Sequence, residues 1–108
     1  MTVFLPYSVL MSVYARESAA FLTMSLNSMM AQSIPPQEIV LVEDGLITSE
    51  LNESITNFDK AYPGLLTVVS YSKNQGLGYA LSRGLPVCRN EIVARMDSDD
   101  YAFPTRME

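Results

Sequence analysis

Apolar residues along this chain gather into four short runs, and the segments between the runs repeat their apolar positions at helical intervals. Ser8-Val9-Leu10-Met11-Ser12-Val13 has the length and character of a strand. From Glu17 to Ala31 the spacing predicts a helix, with Ala20, Phe21, Met24, Ser28 and Ala31 sharing a face. Pro35-Pro36 stops it, and Glu38-Ile39-Val40-Leu41-Val42 reads as a second strand running into Glu43-Asp44 and a punctuating Gly45. A second helix is predicted from Ser49 to Tyr62, with Leu51, Ile55, Phe58 and Tyr62 on one side and Pro63-Gly64 closing it. Leu65 to Tyr71 is the third strand, and Lys73-Asn74-Gln75-Gly76-Leu77-Gly78 leads into a third helix through about Val87. Ile92 to Met96 is the fourth strand.

Strands that alternate with helices in this way indicate βαβ units, hence an α/β fold with a doubly wound, mainly parallel sheet and helices on both faces. Strands buried on both faces should be nearly continuous apolar runs, as Ile39 to Val42 and Leu65 to Val69 are. In such a sheet ligands bind outside the carboxyl ends of the strands, where the strand order reverses. An order of 3-2-1-4 would bring Ser12, Tyr14 and Arg16, then Glu43-Asp44, then Asp97 to Asp100 to one crevice. No repeat, low-complexity segment or flexible linker interrupts the pattern, so residues 1–108 read as a single domain.

The stretch with the most pointed chemistry is Arg95-Met96-Asp97-Ser98-Asp99-Asp100, where an apolar run feeds three carboxylates within four positions. Crowded like charges repel unless they are solvated or neutralised by a cation. Asp97 and Asp99 point to one side of an extended backbone, and an oxygen-only donor set suits Mg²⁺ or Mn²⁺ with positions left for phosphate. An Asp-rich loop or helix cap is the plainer alternative. Tyr14 offers a face for a nucleobase or for packing at a strand end, and Asp44 offers an acceptor for a base N–H or an Asp-Gly turn. Gly76 and Gly78 read as a tight strand-to-helix turn, since the full dinucleotide fingerprint is absent. Arg95, in an apolar strand, is expected to pair with Glu43 or Asp97. Lys73 and Arg83 read as solvated charges, and the seven methionines as core filler.

Composition narrows the partners. The chain has 108 residues, 48% of them hydrophobic, which is enough for a core but a limited one. A formal net charge of −5 argues against nucleic acid or an anionic membrane surface as the main partner. Cys88 is the lone cysteine and histidine is absent, which excludes an internal disulfide and leaves a zinc site without its usual ligands. These features fit a reducing, cytoplasmic setting. The run from Val3 to Ala15 lacks the basic flank of a signal peptide and is too short to span a bilayer.

Four segments in order, Ser8 to Glu17, Glu38 to Gly45, Asn74-Gln75-Gly76-Leu77-Gly78, and Ala94 to Asp100, together resemble the nucleotide-binding half of a family 2 glycosyltransferase. Leu81-Ser82-Arg83-Gly84-Leu85 and Phe103 to Glu108 are also similar to the family's segments at those places, with Ser82 where the family more often has Asn. The resemblance implies a GT-A fold that binds a nucleotide-diphosphate sugar, UDP being the family-weighted nucleotide. It implies that Tyr14 stacks on the base, Ser12 and Asp44 contact it, Asp97 meets the ribose region and Asp99 binds the Mn²⁺ or Mg²⁺ that bridges the diphosphate. Transfer with inversion to a saccharide or other hydroxyl acceptor then needs a carboxylate base, which the family carries further along its sequence. The chain is accordingly expected to be a truncated piece or natural fragment, without its catalytic base, of a protein that is cytoplasmic or peripheral at the inner membrane. A phospho-acceptor signalling domain and a non-catalytic binding module are the alternatives from other classes. An uncovered sheet edge beyond strand four would favour pairing between chains.

Overall fold

The computed structural model describes residues 5–96, which form one four-stranded sheet flanked by helices. In chain order the elements are β1 (Tyr7–Val13), α1 (Ala19–Met30), β2 (Glu38–Asp44), α2 (Ser49–Ala61), β3 (Leu66–Tyr71), α3 (Leu77–Gly84), a 3₁₀ turn (Leu85–Val87) and β4 (Ile92–Arg95). The sheet order is β3-β2-β1-β4 and every pairing is parallel, as the sequence predicts. Val9 lies beside Ile39 on one side and Ala94 on the other, so β1 is an inner strand.

Side chains alternate across the sheet and build a core on each face. Val9, Met11 and Val13 of β1, with Ile39 and Leu41 of β2, pack against Leu22, Leu26 and Met29 of α1 and Leu51, Ile55 and Phe58 of α2. Leu10, Val40 and Val42 point the other way and meet Ala80 of α3. The two inner strands are thus covered on both faces, which explains the unbroken apolar run Ile39-Val40-Leu41-Val42, none of it exposed. β3 differs from its predicted burial: it is an edge strand, and Thr67, Val68 and Ser70 are exposed.

α1 begins later than its spacing suggests, because Ser18 caps it by accepting from the Phe21 N–H. Its predicted face is also corrected. Phe21 and Met24 are 55% and 49% exposed, and the buried residues are Leu22, Ser25, Leu26, Ser28 and Met29, so Ser28 alone of the expected face is buried. This helix is apolar nearly all round, so periodicity admits more than one face and the sheet chooses between them. In α2, where charged and polar residues leave a single stripe, Leu51, Ile55 and Phe58 are buried as expected, with the Tyr62 ring tilted over Phe58 at 5.0 Å.

α3 ends at Gly84, short of Val87, and the chain tightens into the 3₁₀ turn. Gly84 lies against the sheet so closely that a Cβ there would stand 2.5 Å from Leu10 Cδ1 and 2.6 Å from Val42 Cγ2. Arg95, opposite Leu10 on the edge strand β4, is exposed, so its charge does not incur the burial cost anticipated from the apolar run. Among the described residues no helix is long and apolar enough to cross a membrane.

At the amino end of β2 the Glu38 side chain is buried, 1% exposed. It accepts from Ser8 Oγ at 2.6 Å, from the Arg89 backbone N–H, and from Arg89 Nε at 3.2 Å, while Asn90 Nδ2 donates to Ser8 Oγ at 3.1 Å. Burial alone would raise this carboxyl's pKa; the hydrogen bonds from Ser8 and Arg89 outweigh it and leave the pKa below its ordinary value. The cluster ties the segment before β4 to the β1–β2 pair.

Two outcomes are expected in urea unfolding. Gly84→Ala should destabilise the fold by about 1–2 kcal/mol, because both contacting side chains must move within a packed layer. Glu38→Gln should cost about 2 kcal/mol near neutral pH, since its amide presents N–H to donors. A depressed carboxylate pKa stabilises the fold above the ordinary carboxylate range, and that contribution is lost as pH falls through the folded value, so wild type and Glu38→Gln should converge in acid.

Candidate functional site

Because every pairing is parallel, β1, β2 and β3 all deliver their carboxyl ends to the same side of the sheet. There a cleft of about 550 Å³ is lined by Tyr14, Ala15 and Arg16 after β1, Asp44, Gly45 and Leu46 at β2, and Ser72 and Asn74 after β3. Tyr14 and Asp44, thirty residues apart in sequence, come together as the 3-2-1-4 order requires. The loop after β3 completes the wall, a contribution the apolar pattern alone did not suggest. Gly45 allows that closure. Its φ is +88°, and a Cβ there would lie 2.9 Å from the Asn74 backbone N, so a side chain is excluded both by backbone conformation and by the neighbouring loop.

Asp44 is the hinge between these loops. Its Oδ1 accepts from Tyr71 Oη at 2.7 Å and from the Gln75 N–H at 2.8 Å, and its Oδ2 accepts from the Gly76 N–H at 3.0 Å. Its backbone carbonyl accepts from Asn74 Nδ2 at 3.2 Å. A carboxylate has about four acceptor positions, so donors from the described residues leave one, on Oδ2. Asp44 is only 6% exposed. Burial pushes its pKa up, yet the three donors from Gln75, Tyr71 and Gly76 prevail and hold the carboxyl below its ordinary value. Tyr71 responds in the opposite sense, its hydroxyl pKa raised by burial and by donation to Asp44. The Tyr71 ring meets Tyr79 edge-on at 5.1 Å, and the Arg83 guanidinium lies 5.8 Å from the Tyr71 centroid. Arg83, which reads from sequence as a solvated charge, is exposed but also donates to Tyr79 Oη at 3.0 Å.

The other expected site residues divide. Ser12 is half-buried within β1 beside Val42 and is not among the residues that line the cleft. Glu43 faces a neighbouring cavity of about 570 Å³, with Thr48, Ser49, Asn52, Ser70 and Ser72 among its other walls, and partial burial raises its pKa. Asp97, Asp99 and Asp100 lie outside the described residues. Among the described residues no cluster of three His, Cys, Asp or Glu side chains could hold a metal ion. Tyr71, Gln75 and the Gly76 N–H were missed as parts of the site. Only the Asn74-Gln75-Gly76 motif pointed there, and it read as turn geometry, which the +93° φ of Gly76 supports.

A cleft at the carboxyl ends of parallel strands, with an aromatic ring and a buried acceptor facing it, is the setting in which the sequence motifs acquire meaning. Residues 8–108 match the family model described as Glycosyl transferase family 2. The chain belongs to glycosyltransferase family 2. Over 94% of its length it is 38% identical to the UDP-Gal:alpha-D-GlcNAc-diphosphoundecaprenol beta-1,3-galactosyltransferase of Escherichia coli, of which it covers 36%. Its structure matches S. aureus TarS 1-349 in complex with UDP at a TM-score of 0.78 and 27% identity, covering 94% of this chain and 29% of that one. It matches the mannosyltransferase PcManGT from Pyrobaculum calidifontis, in complex with GDP-Man and Mn²⁺, at 0.78 and 25%, covering 93% and 29%. The glycosyltransferase chain thus spans little more than a third of the curated relative it matches. The shared fold is the GT-A nucleotide-binding arrangement. Membership sets aside the phospho-acceptor alternative, and the site agrees, since the Asp44 carboxylate is already engaged by three donors.

Gly45→Ala should lower the unfolding free energy by about 1–3 kcal/mol, from the left-handed backbone and the clash with Asn74 together. Hydrogen exchange should report the consequence locally: faster exchange at the Gln75 and Gly76 amides and little change in β1.

Proposed function

We propose that this chain is the donor-binding portion of a glycosyltransferase and that its cleft takes the nucleoside of a nucleotide-diphosphate sugar. The observation that carries this reading is the meeting of Tyr14 and Asp44 in one cleft at the strand ends. Tyr14 is 42% exposed, so its ring has a face available for stacking on a base, a contact worth about 1–3 kcal/mol. Asp44 is ionised and can only accept, so it suits a base edge that presents an N–H, as uracil and guanine do. Support comes from the relatives: TarS is known in complex with UDP and with UDP-GlcNAc, and PcManGT with GDP-Man and Mn²⁺. Uracil is the base favoured by the Escherichia coli relative, whose name specifies UDP-Gal.

On this reading Asp97 meets the ribose region and Asp99 holds Mn²⁺ or Mg²⁺. Met96, the residue after β4, donates its backbone N–H to the Leu10 carbonyl at 3.1 Å, and the carboxylates follow it directly in sequence. Their donor set is oxygen only, which matches a hard divalent cation. When bound, such an ion neutralises charge on the departing nucleoside diphosphate. The chain's own residues bind and orient the donor: Tyr14 fixes the plane of the base and Asp44 fixes its edge. In this proposal the sugar passes with inversion to a saccharide or other hydroxyl acceptor, whose activation needs a carboxylate base.

Calorimetry with UDP and Mn²⁺ tests the proposal on the 108-residue chain. Binding with a thermal upshift is expected, weakened about tenfold or more by Tyr14→Ala through lost stacking, and stripped of its Mn²⁺ dependence by Asp99→Ala. Absence of heat and of any thermal shift, with Asp99→Ala indistinguishable from wild type, would sink it.

A further inference from the structure

We infer that Tyr71 is a positioning residue of the donor site, one that fixes which oxygen of Asp44 is presented to the nucleoside and links that choice to α3. The inference rests on the donor reading of the cleft and goes beyond it by assigning a role to a residue outside the family motifs.

Oδ1 of Asp44 receives two donors, Tyr71 Oη at 2.7 Å and the Gln75 N–H at 2.8 Å, and is therefore full. Oδ2 receives the Gly76 N–H at 3.0 Å and keeps one position. A ligand N–H that bonds this carboxylate must do so at Oδ2. Without the tyrosine hydroxyl, Oδ1 would regain a position and the carboxylate would lose the side-chain donor that complements the two backbone N–H groups. Because Asp44 is nearly buried, the donors that surround it rather than water decide its orientation.

Tyr71 is itself held in place. The edge of one ring meets the face of the other in the Tyr71–Tyr79 pair, at 85° between planes. Arg83 lies 5.8 Å and 5.9 Å from the two ring centroids and donates to Tyr79 Oη. Tyr79 and Arg83 both belong to α3, so the helix fixes the ring and the ring fixes the carboxylate. Among the described residues, the charged and titratable groups near Asp44 are Tyr71 on β3, which donates to it, Glu43 beside it in β2, and Tyr14 and Arg16 in the lining of the same cleft, with Tyr79 and Arg83 of α3 reached through Tyr71.

Tyr71→Phe keeps the ring and removes only the hydroxyl. UDP affinity with Mn²⁺ present should fall about tenfold, the effect of losing one hydrogen bond to a charged group. The Asp44 carboxyl, followed by ¹³C NMR titration, should titrate at higher pH, because a donor to its ionised form is gone. A purely structural tyrosine would lower thermal stability and leave both the affinity of the folded protein and the Asp44 midpoint unchanged, and that result overturns the inference. Tyr79→Phe, which keeps the ring and removes the hydroxyl that receives Arg83, should move both readouts in the same sense by less than Tyr71→Phe. An effect equal to or greater than that of Tyr71→Phe would shift the role from the Tyr71 hydroxyl to α3 and count against the inference. If wild type itself fails to bind UDP, the donor reading falls and takes this role with it, which is a different outcome from wild type and Tyr71→Phe binding equally well.

Discussion

β2 is an inner strand bounded at both ends by a buried carboxylate, and much of the arrangement follows from how each is satisfied. Glu38 at its start and Asp44 at its end are separated by five residues, four of which are fully buried and apolar. An ionised carboxylate beside such a strand is tolerable only if donors replace the water it loses. Loops far away in sequence supply them: the segment around Arg89 at one end, and the segment from Tyr71 to Gly76 at the other. The edge elements β4 and β3 are thereby tied to the middle of the sheet by specific polar contacts as well as by the backbone ladder.

The two ends do different work. At the amino end Glu38 receives three donors, one from Ser8 and two from Arg89, while Asn90 donates to Ser8 in turn, so the cluster holds the approach to β4 against the β1–β2 pair. At the carboxyl end Asp44 also receives three donors, and it lines a cleft rather than a core. What separates the two carboxylates is therefore their surroundings and not the number of donors. Both carboxyls titrate below their ordinary range for the same reason, donation from backbone and side-chain N–H and O–H groups, so acid weakens the fold and the cleft by a common mechanism.

The core shows a comparable division of labour. α1 and α2 cover one face of the sheet with large side chains, whereas α3 sits close on the other through Ala80 and Gly84. The small residues bring α3 near enough for Tyr79 and Arg83 to reach Tyr71. Packing on that face and organisation of the cleft are consequently the same event.

The chain's pattern alone determined the number, kind and order of elements, because strand and helix periods are local and the turn residues between them are distinctive. It determined that acidic and aromatic residues stand at strand ends, and the four ordered motifs were specific enough to reveal the family. Local spacing had less to say about α1, whose apolar residues occupy every side; which of them is buried depends on where the sheet lies, and that is a nonlocal fact. Nor could it show how the Asp44 carboxylate is held. The donors that saturate Oδ1 come from residues 27 and 31 positions away, and only the parallel pairing of β2 with β3 brings them within hydrogen-bond reach. Sequence placed the chemistry at the ends of strands; the tertiary structure decided which strands are neighbours, and therefore which of those groups face one another.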